Sequence, residues 1–257
     1  MKNFKKIIIL SLICLSYSEV NAHGAHPKYL EGSNIYNVHT RTNEIVLTID
    51  DGPTKGVTDK ILDSLKKYQV KATFFVVGKR VKGKEYLLRR MLNEGHIVAN
   101  HTYDHPRDIR KYGTQQMKNE FIKAHNSIVP YMGNSDYYYF RAPGGTWSPH
   151  VANVANSTQL GRDFRGPIMW DIGGSVKRSG NGVLAAAADW ACWSRNYGYT
   201  ARKCLEGYVN ETKSKRGGIA LFHDLNMKSA TLIDAYIKYF KRAGYGFVSM
   251  NDVNLNR

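Results

Sequence analysis

The sequence predicts an α/β protein with parallel strands, arranged as a wound sheet or a barrel, and three observations support this. Strand-like and helix-like segments alternate between residues 44 and 250, and a helix between two strands makes those strands parallel. The chain has 257 residues, 42% of them apolar, which is enough for a sizeable core. No Pro- or Ser-rich linker breaks the alternation, so we expect residues 23–257 to form a single domain.

The first 22 residues have the features of a signal peptide. Lys2, Lys5 and Lys6 precede an apolar run at residues 7–15, and Val-Asn-Ala at 20–22 offers a small-residue cleavage site. An uncleaved anchor is the alternative, but the run is shorter than the roughly 20 residues of a membrane-spanning helix. We therefore expect export to a bacterial periplasm or the extracellular space, with no stable membrane anchor.

Each predicted element has a local justification. Residues 44–50 are rich in β-branched side chains, as buried strands are, and residues 58–68 have a helical apolar period with Thr58 as the expected N-cap. A later helix should stop at Gly95. On these criteria, strands are predicted over residues 44–50, 71–77, 96–101, 137–143, 166–172, 217–225 and 245–250. Helices are predicted over residues 58–68, 84–95, 114–132 and 229–244.

Residues 173–216 fit the alternation poorly and are predicted to form an insertion over one face of the domain. A Gly- and Ser-containing loop at 173–182 leads into 183–193, where alanines and apolar residues predict a helix. Cys192 and Cys204 also lie in this segment. In an exported protein such a pair favours a disulfide over two free thiols, and closing this loop would contribute about 3 kcal/mol in the chain-entropy model.

The formal net charge of +16 favours polyanionic partners and long-range electrostatic steering. Nucleic acid is one candidate, but an exported protein meets wall polymers or anionic lipids more readily. The sequence contains no helix-turn-helix, zinc-finger or RNA-binding signature. A basic surface that is simply solvated stays open as the plainer interpretation. We therefore expect an anionic partner outside the cytoplasm, such as a wall polymer, and no nucleic acid.

Titratable side chains occur at or just after the ends of five predicted strands. The carboxyl ends of parallel strands converge on one face of a barrel, where the loops build active sites. Coincidence would explain one such residue better than it explains the whole set. The five strands bring these residues to that face: Asp50, Asp51, His101, His105, Arg141, Asp171 and His223.

His101 and His105 are four residues apart, a spacing that can aim two imidazoles at one divalent metal. Pro106 disfavours helical geometry at His105, so the pair should lie on a tight turn. Asp51 as a third ligand would leave positions open for water and substrate, as a catalytic site requires. Asp50 would then stay free as a general base. The alternative is that the two aspartates merely initiate the Gly-Pro turn.

These residues lie in motifs that resemble those of the polysaccharide deacetylases with a NodB-type domain, carbohydrate esterase family four. The family motif T-F-D-D-G-P matches T-I-D-D-G-P at residues 48–53, and H-[ST]-x-x-H-P matches residues 101–106 at every defined position. R-x-P-x-G matches residues 141–145, and an apolar residue, a spacer and His match residues 221–223. The resemblance covers about residues 40–250. It implies a distorted, incomplete (β/α) barrel of parallel strands.

The resemblance also implies a cofactor and a division of roles. Asp51, His101 and His105 would bind Zn²⁺, with Co²⁺ or another divalent metal as alternatives. Asp50 would be the general base, and Arg141 would hold it by charge-assisted hydrogen bonds.

On the substrate side, the resemblance implies that His223 is the general acid that protonates the departing amine. The backbone N–H of Gly144 would stabilise the oxyanion. Trp170 and Leu221 would line a pocket beneath the acetyl group, and Tyr103 would stack on a sugar ring. Core packing stays open as the alternative for the aromatic residues.

The fourth family motif, W-x-x-D-x-x-D-W, matches poorly, and its second Asp is the residue that orients the catalytic His. Asp171 follows Trp170 directly, and an Asp-Trp pair recurs only at residues 189–190. Asp171, Asp189 and Asp224 all remain candidates for the partner of His223. Asp171 is preferred because it lies nearest its strand end.

The predicted function is a metal-dependent hydrolase that removes N-acetyl groups from an N-acetylated glycan, with peptidoglycan N-acetylglucosamine or N-acetylmuramic acid preferred. A chitin or chitooligosaccharide deacetylase, an O-acetyl xylan esterase and a catalytically silent glycan-binding homologue remain alternatives. We expect the protein to be a monomer.

Overall fold

The computed structural model describes residues 30–35, 42–133, 138–160, 163–179, 182–194 and 200–253. The predicted signal peptide, residues 1–22, lies outside the described residues. Within these ranges, no helix combines the length and the apolar composition that a membrane span requires.

Strands and helices alternate along most of the chain, as the sequence predicts. The strands are β1 (Leu30–Ile35), β2 (Glu44–Asp50), β3 (Ala72–Val76), β4 (Ile97–Asn100), β5 (Tyr138–Tyr139), β6 (Phe164–Ile168), β7 (Ser175–Ser179), β8 (Gly182–Ala187), β9 (Gly217–His223) and β10 (Gly246–Phe247). The helices are α1 (Val57–Tyr68), α2 (Glu85–Asn93), α3 (Thr114–Ile128), α4 (Pro149–Asn156), α5 (Asp189–Trp193), α6 (Ala201–Lys215) and α7 (Met227–Arg242).

Strand β2 lies at the centre of the main sheet and carries the first two aspartates to its end. It pairs in parallel with β9 along its whole length and with β3, which in turn pairs with β4. Residues 45–49, whose side chains alternate between the two faces, are all almost completely buried, as expected of a parallel strand that is covered on both faces. This register sets Asp50 beside His223 at the same edge.

The sheet curves into a barrel that does not close completely, which confirms the predicted fold class. Strands β1, β6 and β5 form a second parallel sheet. This part of the chain is joined to the main sheet by single bridges, from Asn100 to Phe140 and from Ile172 to Ala220. A closed barrel would need continuous hydrogen-bonded ladders at these two places. The strand ends still converge on one face.

Helix α1 begins at Gly56 as its N-cap, so the prediction of Thr58 as the cap is wrong. The reason is tertiary: the Thr58 hydroxyl accepts a hydrogen bond from the Thr54 N–H and donates one to Asp224, at 2.8 and 2.5 Å. The Thr58 side chain therefore bonds to the segment that follows β9 and does not cap the helix. Helix α1 itself packs against α7.

The predicted helix over residues 183–193 is wrong in its first half. Residues 182–187 form β8, which pairs antiparallel with β7, and only Asp189–Trp193 is helical. The helical propensity of alanine is a weak preference that strand pairing overrides here. Helix α6 packs against β8, β9 and α7, and a disulfide joins Cys192 of α5 to Cys204 of α6 across a Cα–Cα distance of 6.2 Å.

Candidate active site

Asp51 lies directly after β2 and faces two imidazoles. Its Oδ1 is 3.0 Å from Nε2 of His105 and 3.4 Å from Nε2 of His101. The backbone at Asp51 is left-handed, with φ of 81°, so the chain leaves the direction of the strand at this residue. Its N–H is held by the Phe75 carbonyl on the neighbouring strand. A sharp turn thus separates the two adjacent carboxylates.

His101 is oriented by a hydrogen bond on the far side of its ring. Its Nδ1 lies 2.8 Å from the carbonyl oxygen of Arg141, and its side chain is 2% exposed. A carbonyl only accepts hydrogen bonds, so Nδ1 must carry the proton. Nε2 then presents its lone pair towards Asp51, which is the tautomer a metal ligand needs.

The three side chains fit a divalent cation. Their ligand atoms all lie within 4.8 Å of one another, and the buried Oδ1 of Asp51 has no hydrogen-bond partner. A buried oxygen without a partner is costly and calls for an explanation. Burial raises the pKa of Asp51, but the attraction of the nearby His101 and His105 imidazoles has a larger effect, so the pKa is lowered from its usual value. One carboxylate and two imidazoles are a donor set typical of catalytic zinc.

Asp50 is held apart from this cluster by a buried arginine. Its Oδ1 accepts a 2.7 Å hydrogen bond from the guanidinium of Arg141, which also donates to Thr48 and to the carbonyls of Ile168 and Met169. The guanidinium is completely buried. A buried guanidinium that makes four hydrogen bonds fixes the position of the carboxylate it pairs with. The Oδ2 of Asp50 lies 3.7 Å from Nε2 of His101, beyond hydrogen-bond distance.

His223 ends β9, and its partner is Asp189. The Nδ1 of His223 is 2.7 Å from Oδ1 of Asp189, and the His223 N–H donates to Oδ2 at 2.8 Å. The hydroxyl of Ser229 donates to the same Oδ2. Burial lowers the pKa of His223, but the charge of Asp189 and its hydrogen bond outweigh it and raise the pKa to about 10. The imidazole is thus held in its protonated form.

The preference for Asp171 as this partner is wrong. Its carboxylate accepts a hydrogen bond from the N–H of Ile219 at 2.8 Å, and Ile219 precedes His223 by four residues on β9. Strand β6 ends at Ile168, so Asp171 does not occupy the strand end that the sequence suggested. Asp224 is also not the partner, because its carboxylate is directed at Thr58. The feature of the sequence that pointed to Asp189 was the Asp-Trp pair at residues 189–190, which matches the end of the fourth family motif.

The residues predicted to contact substrate have different surroundings. Gly144 has a φ of 56°, and no atom lies within 4 Å of where a side chain would project. The Trp170 ring lies beside Gly145 and 5.7 Å from the Arg141 guanidinium. Leu221 is buried, with its carbonyl bound by Tyr208. The N–H and carbonyl of Tyr103 are both bound within the fold.

Comparisons with known proteins agree with these motifs. Residues 37–161 match the family model described as polysaccharide deacetylase. The chain is 33% identical over 218 residues to the peptidoglycan-N-acetylglucosamine deacetylase PgdA of Listeria monocytogenes, covering 83% of this chain and 39% of the relative. It therefore spans about two fifths of the length of that protein.

Two further relatives are shorter. The peptidoglycan-N-acetylmuramic acid deacetylase PdaA of Bacillus subtilis is 30% identical over 215 residues, covering 84% of this chain and 73% of the relative. A solved structure of B. subtilis PdaA, described as a family 4 carbohydrate esterase, superposes with a TM-score of 0.67 at 29% identity, covering 86% and 84%. The chitooligosaccharide deacetylase of Sinorhizobium fredii is 36% identical over 121 residues, covering 47% and 56%.

The matched family model covers the two motifs that supply the aspartates and the histidine pair. The B. subtilis relative is matched over most of its own length as well as most of this chain. The chain therefore belongs to the polysaccharide deacetylase family.

Proposed function

We propose that the protein is a zinc-dependent N-deacetylase that removes acetyl groups from N-acetylated sugars of peptidoglycan outside the cytoplasm. The observation that carries this proposal is the partnerless, buried Oδ1 of Asp51 between two imidazole nitrogens. Hydrogen bonding within the described residues does not account for that atom, whereas a cation would.

In this proposal, Asp51, His101 and His105 hold the metal. The ion would polarise the acetamide carbonyl and lower the pKa of a bound water. The tautomer of His101 and the converging ligand atoms support this ligand set. Co²⁺ or another divalent ion in place of Zn²⁺ stays open.

Asp50 is proposed as the general base. Arg141 occupies its Oδ1 and leaves Oδ2 to accept a proton from the attacking water. The same ion pair keeps the carboxylate from swinging towards the metal ligands. The buried arginine thus separates the base from the ligand, although the two residues are adjacent in sequence.

His223 is proposed as the general acid. When the C–N bond of the acetamide breaks, Nε2 of His223 would give its proton to the departing amine nitrogen, and acetate is the other product. Asp189 holds Nδ1 and stabilises the charged imidazole until that transfer. The Gly144 N–H is proposed to donate to the developing oxyanion, and the open space around this residue is compatible with a close approach of substrate.

The substrate assignment rests on the relatives. Both PgdA and PdaA carry peptidoglycan in their names, the first with N-acetylglucosamine and the second with N-acetylmuramic acid. The net charge of +16 suits an anionic wall polymer. Chitooligosaccharide is the second candidate, because the S. fredii relative is named for it.

The test is acetate release by the purified protein, loaded with zinc, on peptidoglycan, chitooligosaccharide and acetyl-xylan side by side. Asp63→Asn, which changes an exposed carboxylate on α1, serves as the control variant. Release from peptidoglycan at the highest kcat/KM supports the proposal. Release from chitooligosaccharide alone would replace the substrate, and no release from any of the three would overturn the function.

A further inference from the structure

Glu120 is a buried carboxylate that the proposed chemistry does not use. It lies on α3, is 5% exposed, and has no salt bridge to any described residue. An ionised carboxylate is costly to bury unless hydrogen bonds compensate for the lost water. Its partners therefore indicate what it does.

Those partners are backbone groups of the loop that joins the two predicted metal-binding histidines. The Oε2 of Glu120 accepts hydrogen bonds from the N–H groups of Tyr103 and Asp104, both at 2.9 Å. Two successive N–H groups aimed at one anion form a concave binding site for it. Glu120 thus contacts the residues between His101 and His105 without reaching either imidazole.

The loop needs such support because its backbone is unusual. Thr102 and His105 have positive φ values of 65° and 57°, which cost free energy for residues other than glycine. The remaining N–H groups are also used: Thr102 donates to the Asn100 side chain, and His105 donates to the Thr102 hydroxyl. Each N–H from 102 to 105 therefore has a partner, and Glu120 supplies two of the four.

The loop is tied on its carbonyl side as well. Gly78 and Lys79 donate from their backbone N–H groups to the carbonyls of Thr102 and Tyr103, at 2.9 and 3.1 Å. Gly78 packs so closely against Tyr103 and α3 that a side chain there would clash. The loop is therefore clamped between the turn after β3 and the helix that carries Glu120.

From these hydrogen bonds we infer that Glu120 is a positioning residue, which holds the loop at 101–105 in its metal-binding conformation in the metal-free protein. The inference rests on the ligand set of the proposed function. A ligand pair that is already in place loses less conformational freedom on binding, so the affinity for the metal should depend on Glu120. Groups that orient metal ligands typically change affinity by about 10- to 100-fold when they are removed.

The experiment measures the zinc affinity of the metal-free protein by competition with a chromophoric chelator. Glu120→Met keeps the length of the side chain and removes the acceptor oxygen, whereas Glu120→Gln keeps one oxygen able to accept both N–H groups. We expect the Met variant to bind zinc about tenfold or more weakly, and the Gln variant to stay within about threefold of the parent. At saturating zinc, kcat of the Met variant should return to within a fewfold of the parent, with KM unchanged.

Two controls lie on the same helix. Gln115→Ala changes an exposed residue and should alter neither stability nor zinc affinity. Ile128→Ala removes a buried side chain eight residues beyond Glu120 and should lower the melting temperature without weakening zinc. A loss of zinc affinity in Ile128→Ala equal to that in Glu120→Met would mean that general destabilisation, not positioning, is responsible.

Other outcomes distinguish a failure of the positioning role of Glu120 from a failure of the proposed ligand set. If Glu120→Met binds zinc as tightly as the parent, the positioning role is wrong and the ligand set stands. If the parent itself binds no zinc, the ligand set fails, and the inference fails with it. Should Glu120→Met not fold, Glu120→Asp replaces it: the shorter side chain withdraws the oxygen, and unchanged affinity there would also refute the role.

Discussion

The two halves of the proposed site are held by different kinds of structure. Asp51 follows β2, and His101 and His105 follow β4, with β3 between these two strands. Short turns and backbone hydrogen bonds fix their loops. His223 instead depends on Asp189, which lies on the short helix α5 and not at a strand end. The metal half is therefore fixed by the parallel pairing of β2, β3 and β4, whereas the acid half depends on how helix α5 packs beside β9.

This difference has a physical consequence. Changes in the metal half should act on metal affinity first, and changes around Asp189 should act on the protonation of His223 with the metal retained. The two halves meet where β2 and β9 pair, with Asp50 beside His223. Variants in each half can test whether they are independent.

The largest expected effect comes from His101→Ala. Removing a buried imidazole that is aimed at Asp51 should abolish zinc retention and with it activity, since two ligands hold zinc poorly. Elemental analysis after dialysis measures the metal. Chelator should silence the parent, and added zinc or cobalt should restore the parent only. His150→Ala, an exposed histidine on α4, is the control, and full zinc occupancy in His101→Ala would refute the ligand set.

Asp50→Asn should separate the base from the metal. The amide keeps an oxygen for the hydrogen bond from Arg141 but cannot take a proton, so kcat should fall by about two orders of magnitude or more. Zinc content should stay at the parent level, in contrast to His101→Ala. A rate near that of the parent would show that another group is the base.

The acid half is tested by comparing Asp189→Asn with Asp171→Asn. Asp189 raises the pKa of His223 to about 10, and a general acid must be protonated to act. Activity should therefore persist below the folded pKa and decline as pH rises through it. Without the Asp189 charge, only the smaller effects of Asp51 and Asp50 oppose the lowering of that pKa by burial, so the alkaline limb of the pH–rate profile should move to lower pH.

The rate of Asp189→Asn at its optimum should also fall, by about two orders of magnitude. Asp171→Asn can still accept the hydrogen bond from the Ile219 N–H, so its profile should keep the limb of the parent. Zinc content should be unchanged in both variants. An equal shift of the limb in both would mean that Asp171 also sets the pKa of His223.

The same contrast explains what could be predicted from the sequence. The proposed metal ligands and the proposed base lie in two short motifs, residues 48–53 and 101–106. Each motif follows an apolar strand whose parallel pairing fixes where the strand ends. Such information is local, so the strand ends and the residues on them were predictable. The buried hydrogen bonds of Arg141 to Ile168 and Met169 were not, because they depend on how β5 and β6 pack.

The partner of His223 was harder to predict for the same reason. Choosing among Asp171, Asp189 and Asp224 requires the path of residues 173–194, where an alanine-rich segment favours helix but forms a hairpin strand. Glu120 was missed entirely. A single Glu in an amphipathic helix is normally a solvated residue, and only the fold shows that this one is buried against the loop at 101–105.

The smallest effect on catalysis, and the most direct test of independence, comes from the disulfide. Cys192 lies three residues after Asp189 on α5, and its bond to Cys204 ties this short helix to α6. Replacing both cysteines by serine should lower the free energy of unfolding by about 3 kcal/mol in the chain-entropy model, measured by denaturant titration.

Zinc affinity should not change in this double variant, because none of the three proposed metal ligands lies on either helix. Activity should fall only a fewfold, since Asp189 is also held by Ser229 and by the His223 N–H. Weaker zinc binding in the double variant would show that the two halves are coupled, and the division between a metal half fixed by strand pairing and an acid half fixed by helix packing would then be wrong.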